Sequence, residues 1–262
     1  MRRVVLGRVK MLIKNQKEIK KFYEDEEVIA HYFKERFESP VGRVLHRNQV
    51  EFINKIIKKY GIKTILEIAP GPARLTTEIE SKGYILDSSE RMLEIARKRL
   101  SERKLSHRWR LIKADAFSSG LRENFTQMVI TMRFIRHFKL KDREKLYAEI
   151  KRLLKPGGLL IFDVPNYTIE SILRKGKSEK EYPIYDKLWK KDEFIAEMEK
   201  NGFDVLEMEG NLKIYPVQAI ISKINKVGLS NLAEKIIYAI DRWRLSRLVD
   251  LSLEWLVLCR KR

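Results

Sequence analysis

Glu67 stands near the end of a short apolar, β-branched run, Thr64–Ile68, and is followed by Ala69, Pro70, Gly71, Pro72 and Ala73 before a helical pattern resumes at Arg74 and Leu75. That order predicts a strand, a tight turn and the start of a helix. Unpaired N–H groups at such a turn, with little side-chain bulk around them, let a partly charged ligand approach the main chain, so the stretch is a candidate nucleotide or cofactor cradle. Asp87, 20 residues beyond Glu67, ends the next apolar run. A carboxylate there can accept both hydrogen bonds of a ribose diol, as in dinucleotide-binding folds; beside Ser88 and Ser89 it could instead cap a helix.

Four more stretches carry chemistry. The strand expected over Phe125–Met132 delivers Arg133, Arg136 and His137 at its carboxyl end, where ligands of open α/β sheets bind. Histidine is the side chain suited to proton transfer near neutral pH, which makes His137 a candidate general base, with a packing role as the alternative. Asn166 and Tyr167, after a strand expected over Leu159–Val164, offer a carbonyl acceptor and an aromatic face, as an exocyclic base amine requires. Eight basic side chains against Glu18 alone in residues 1–21, and the cluster from Arg97 to Lys113, suit a polyanion such as RNA, given the net charge of +19. His31, His46, His107 and His137 show no metal-ligand spacing, and the single Cys259 excludes an internal disulfide.

The elements that position these residues alternate strand and helix from residue 61 onward, which predicts a doubly wound α/β sheet. A basic amphipathic helix is expected over residues 3–20, a second helix over 26–37, and a third over 48–59 closed by Gly61. Residues 168–191 read as a polar loop, and 216–248 as two apolar helical stretches before a final strand, 252–259. We therefore expect a helical arm and lid over 1–60 and a catalytic domain over 61–262 with an insertion at 213–250. No apolar run approaches the roughly 20 residues that span a bilayer, and a cytoplasmic protein is expected. The composition, heavy in Lys, Glu and Ile, resembles that of hyperthermophile proteins.

Thr64–Glu78 resembles the first motif of class I S-adenosylmethionine-dependent methyltransferases, with Glu67 in the acidic place and Ala69, Gly71 and Ala73 at the three small positions. LDSSERMLEIARKRL (86–100) resembles the second motif, KADAF (113–117) the adenine-contacting motif, and LLKPGGLLIFDVPN (153–166) a later one. The ordered matches span roughly residues 45–210 and 252–261 and are closest to the ubiquinone and menaquinone biosynthesis-like group. The resemblance implies a Rossmann-like, mostly parallel seven-stranded sheet with N-terminal helices and a helical insertion before the last strand. It also implies S-adenosylmethionine as cofactor, held by Glu67, Ala69, Pro70, Gly71, Asp87, Ser88, Met92, Asp115, Ala116 and Phe117. Pro70 and Pro72 leave the cradle fewer N–H groups, which suits a ligand without phosphate. Tyr32, Arg43 and His46 would face the substrate entrance, with Arg133, His137, Asn166 and Tyr167 catalytic and Arg136 on the substrate. The expected activity is methylation of an RNA base nitrogen. The alternatives are a small-molecule or lipid-quinone methyltransferase and a noncatalytic RNA-binding protein.

Overall fold

The apolar runs pair into one sheet. In the computed structural model β1 (Thr64–Ile68), β2 (Lys82–Asp87), β3 (Trp109–Lys113), β4 (Thr126–Thr131), β5 (Leu154–Pro165), β6 (Phe203–Asn211) and β7 (Glu254–Lys261) lie in the order β3-β2-β1-β4-β5-β7-β6. Strands β1 to β5 are parallel, and β7 enters antiparallel between β5 and β6. The structure describes residues 18, 37–177, 184–223, 230–242 and 246–262. The expected basic helix of residues 3–20 (Glu18 apart), the helix over 26–36 and Tyr32 lie outside them.

Because successive strand side chains alternate between faces, β1 feeds two cores. Leu66 and Ile68 pack in the layer that holds Tyr147, Trp189 and Phe194, while Ile65 packs in the layer that holds Phe52, Ile53 and Leu93. Among the described residues seven helices flank the sheet: α1 (Pro40–Tyr60), α2 (Glu90–Glu102), α3 (Leu140–Leu153), α4 (Tyr167–Arg174), α5 (Lys191–Lys200), α6 (Tyr215–Lys223) and α7 (Ser230–Arg242). The last two form the insertion between β6 and β7.

Three local readings of the sequence are corrected. Helix α1 starts at Pro40, eight residues before the expected start. Ser39 caps it, accepting from Gly42 N at 3.1 Å with proline in the first turn, and Gly61 closes it at φ 61°. Residues 168–174, expected in a loop, are helical because the Asn166 side chain accepts from Thr168 N. No regular helix follows β1: residues 71–78 form consecutive turns. Ala69, Gly71 and Ala73 all hold left-handed backbone, at φ 51°, 60° and 55°, and alternate with two prolines that donate no hydrogen bond.

The β1–β2 spacing rests on Gly83, which faces Ile65 across the ladder. A Cβ there would lie 1.9 Å from Ile65 O. Gly83→Ala is expected to destabilise the fold by on the order of 3 kcal/mol, read as a lowered melting temperature. Gly120→Ala, at φ 69° but with open space around it, should lose only about 1 kcal/mol.

Candidate active site

A cleft opens at the carboxyl ends of β1, β2 and β4, with about 1100 Å³ of empty space that runs out into solvent. It is lined by Glu67, Ala69, Pro70, Gly71, Asp87 and Ser88 from the first two strand ends, by Met92, Asp115, Ala116 and Phe117, and by Phe37, Met132, Arg133, Phe134, His137 and Phe138. The ten residues the family resemblance assigned to the cofactor are thus brought together along one side.

The left-handed turns fold the chain back against the sheet, where Ala69 N donates to Leu86 O at 2.8 Å. Beneath them Glu67 is 2% exposed and accepts a hydrogen bond from Thr76 Oγ1. Burial pushes its carboxyl up to about 7, against the lowering effects of Thr76 and Arg74. Asp87 Oδ1 accepts from Ser89 N at 2.9 Å, and Ser89 in turn caps α2. That local bond fixes the Asp87 carboxylate at the strand end beside the cleft, and the cap of the helix is Ser89 instead of Asp87. Asp115 Oδ1 accepts from Phe117 N at 3.0 Å in the same manner. Phe117, Phe134 and Phe138 pack with ring centroids 4.9 to 6.5 Å apart, forming an apolar wall at the far end.

His137 ends a short 3-10 turn, Ile135–His137, and is 4% exposed. Its Nδ1 lies 3.0 Å from Tyr185 O and 3.0 Å from Asp186 Oδ1, the direction of its hydrogen favouring the carbonyl. With two acceptors there, Nδ1 carries the proton of the neutral ring, and the lone pair sits on Nε2. Nε2 is buried and has no hydrogen-bond partner among the described residues. Asp186 also meets Arg174 at 2.9 Å. Burial alone would raise the Asp186 carboxyl, but hydrogen bonding and charge from His137, then Arg136 and Arg174, hold it well below the usual carboxylate range. Sequence reasoning did not find Asp186; the signal was the buried pair Ile184 and Trp189 around it, which anchors a stretch that otherwise reads as polar.

Other expected site residues are placed away from the cleft. Arg136 is 2% exposed and bonds Asp163 and Glu254 across β5 and β7, so no substrate reaches it. Asn166 is fully buried, with its amide donating to Asp250 O and Ser252 O at 2.8 Å and its oxygen capping α4. Tyr167 is 44% exposed on that helix beneath Lys190, 5.6 Å from its ring centroid. Both are committed to structure. Arg43 binds Glu234 and Ser230 of α7. His46 pairs with Glu78 at 2.8 Å and receives Arg74 on Nδ1; burial first, then the Arg74 charge, lowers its pKa. Arg74, which lines the cleft, also stacks 3.9 Å over Phe37. Arg133 stays at the cleft with φ 58°, its N–H held by Asp163 and its guanidinium 3.7 Å from Glu254.

Residues 65–158 match the family model of a methyltransferase domain. No curated protein sequence matches the chain. Solved structures of similar fold include an S-adenosylmethionine-dependent methyltransferase from Clostridium acetobutylicum ATCC 824, at 13% identity and a TM-score of 0.60 over 90% of this chain and 98% of that one. The mitomycin 7-O-methyltransferase MmcR aligns at 14% identity and a TM-score of 0.53, covering 81% and 54%. The cyclase SpnF aligns at 15% and 0.53, covering 81% of each chain. At such identities the likeness is one of fold, and MmcR and SpnF show how far chemistry diverges on it. The domain match and the sheet together define a class I S-adenosylmethionine-dependent methyltransferase. Its cofactor fits the residues present: Asp87, held at the end of β2, would accept from a ribose, Met92, Ala116 and Phe117 line the same cleft with apolar surface for a flat base, and the turns after β1 hold two prolines in place of phosphate-binding N–H groups.

Glu67 yields a prediction whose sign is definite. With a folded value near 7 against an ordinary 4.5, the folded state binds more protons between those pH values. Stability therefore falls as pH rises through that window and levels off above it. Denaturant titrations at pH 5 and pH 8 should differ by on the order of 3 kcal/mol in the wild type, and Glu67→Gln should flatten the difference.

Proposed function

We propose that this methyltransferase acts on a small molecule with an apolar or aromatic body and a nucleophilic hydroxyl, and that His137 accepts that hydroxyl's proton. The observation that carries the reading is the His137 ring. Its Nδ1 hydrogen is committed to Tyr185 and Asp186, and its basic Nε2 is buried without a partner beside Phe134 and Phe138. S-adenosylmethionine supplies an electrophilic methyl group on a sulfonium. The phenylalanine wall orients the substrate and excludes water, which raises the share of aligned encounters. As the oxygen–carbon bond forms and the carbon–sulfur bond breaks, the hydroxyl proton passes to Nε2. Asp186 stabilises the resulting imidazolium and acts as a positioning residue, as a carboxylate behind a catalytic histidine does elsewhere. Asp87 and Asp115 hold the cofactor's ribose and base.

RNA as substrate keeps one specific observation in its favour. Arg97, Lys98, Arg103, Lys104 and Arg110 are exposed along α2 and the β3 edge, a row suited to phosphates. Of its other supports, the basic stretch of residues 1–21 lies, Glu18 apart, outside the described residues and Arg133 stays at the cleft, whereas Arg136 is buried in ion pairs and Asn166 and Tyr167 lie outside the cleft. Labelled S-adenosylmethionine, incubated with the enzyme and a cell extract split into RNA and small-molecule fractions, discriminates the two. Label in the small-molecule fraction is expected, and label confined to RNA overturns the reading.

Once a substrate is in hand, His137→Gln should lower kcat about 10²–10⁴-fold. Asp186→Asn should lower kcat roughly 10-fold with KM little changed, since the residue orients the ring and touches no substrate. An unchanged kcat would remove Asp186 from the mechanism. In calorimetry Asp87→Ala should weaken S-adenosylmethionine binding at least about 10-fold, the worth of one charge-assisted hydrogen bond.

A further inference from the structure

The insertion turns its acidic side chains inward and leaves its basic side chains outward; of its aliphatic side chains, Ala233 and Ile237 are buried and Ile221 packs against the core, while others face out. On α6 and α7, Ile220 is 64% exposed, Leu232 51%, Val217 46% and Ile236 41%. Among the described residues of these helices the two acidic groups are both occupied by the protein. Glu234 binds Arg43 of α1, and Asp241, 3% exposed, accepts from Lys213 N at 2.6 Å and from Gln218 and Asn48. The exposed charges left are Lys223, Lys235 and Arg242, all cationic, with Arg242 3.4 Å from Glu51. From Tyr215 to Leu248 the sequence holds no other acidic residue, and adds Lys226, Arg244 and Arg247.

The insertion also sits on the functional edge. Strand β6 runs parallel to β5, since both pair antiparallel with β7, so α6 leaves the sheet at the carboxyl ends where the cleft opens. Arg43 ties the start of α7 to the α1 end that follows Phe37, a residue of the cleft wall.

We propose that α6 and α7 dock this enzyme on an anionic lipid surface, lying in the interface with the cleft mouth beside it. The chemistry selects this partner. Half-exposed aliphatic side chains between cations match acyl chains beneath anionic headgroups. A second copy in an isologous contact would set Lys223, Lys235 and Arg242 against the same cations, and a nucleic acid offers nothing apolar to Ile220 and Leu232. No helix among the described residues is long and apolar enough to cross a membrane, so the association is peripheral and reversible. The proposal goes beyond the assignment of His137 and stands independently of it.

Flotation of the full-length protein with vesicles tests it, using phosphatidylcholine alone and phosphatidylcholine mixed with phosphatidylglycerol. Binding to the anionic vesicles is expected at least about 10-fold above the neutral ones, and falling with salt. The double variant Ile220→Asp with Ile236→Asp should lose at least about 10-fold of it while melting temperature and S-adenosylmethionine binding stay unchanged. Wild-type protein that ignores anionic vesicles, or a double variant that binds as the wild type does, overturns the proposal. So does a concentration-dependent dimer in ultracentrifugation that the double variant abolishes, because a second copy would then own the face.

Discussion

Arg136, held between Asp163 and Glu254, is the contact on which the site depends. A guanidinium taken out of water is tolerable only if carboxylates meet it, and removing one partner of such a buried set costs about 3–5 kcal/mol. The set is larger than a pair. Glu254 Oε1 also accepts from Gln49 at 3.2 Å and Asn211 at 3.1 Å, and Gln49 accepts from Arg74 at 2.7 Å. One buried carboxylate thereby connects α1, the turns after β1, the 3-10 turn after β4, and strands β5, β6 and β7. Asp163 adds a bond to Arg133 N, which holds that residue in its left-handed backbone. His137 follows four residues later, so the clamp sets where its ring lies.

The electrostatics divide along this clamp. On its inner side every described carboxylate has a specific partner, and the cations are consumed by them. Towards the cleft stand Glu67, Arg74, Asp87, Asp115, Arg133 and His137, set among phenylalanine and methionine. A site of that kind can select by apolar shape along one wall and by charge along the other.

How much of this could be read beforehand follows from distance along the chain. The apolar runs, the small-residue loop, Asp87 at a strand end and Asp115 after a strand are local patterns, and each leads to the element or cleft position expected of it. Arg136 could not be read, because its burial depends on Glu254, 118 residues away. Asn166 and Tyr167 looked chemical because nothing local shows that α4 and the segment before β7 would engage the amide. Asp186 was hidden for the same reason: 49 positions separate it from His137, and a charged residue in a polar stretch has no signature. The missing helix after β1 is a different failure. Its apolar spacing was present, but Pro70, Pro72 and the three left-handed residues that alternate with them outweighed periodicity.

Those left-handed residues bear on heat. Two of the three are alanine, and an alanine held at positive φ costs on the order of 1–2 kcal/mol against its Cβ. Glycine would avoid that cost but would leave the unfolded chain more conformations to lose, worth about 0.4–1 kcal/mol near room temperature. The first quantity is steric and changes little on warming, whereas the second is entropic and grows in proportion to absolute temperature. Alanine at 69 and 73 therefore becomes less disadvantageous as the surroundings grow hotter, and the same two methyl groups narrow the wanderings of the cradle before any ligand arrives.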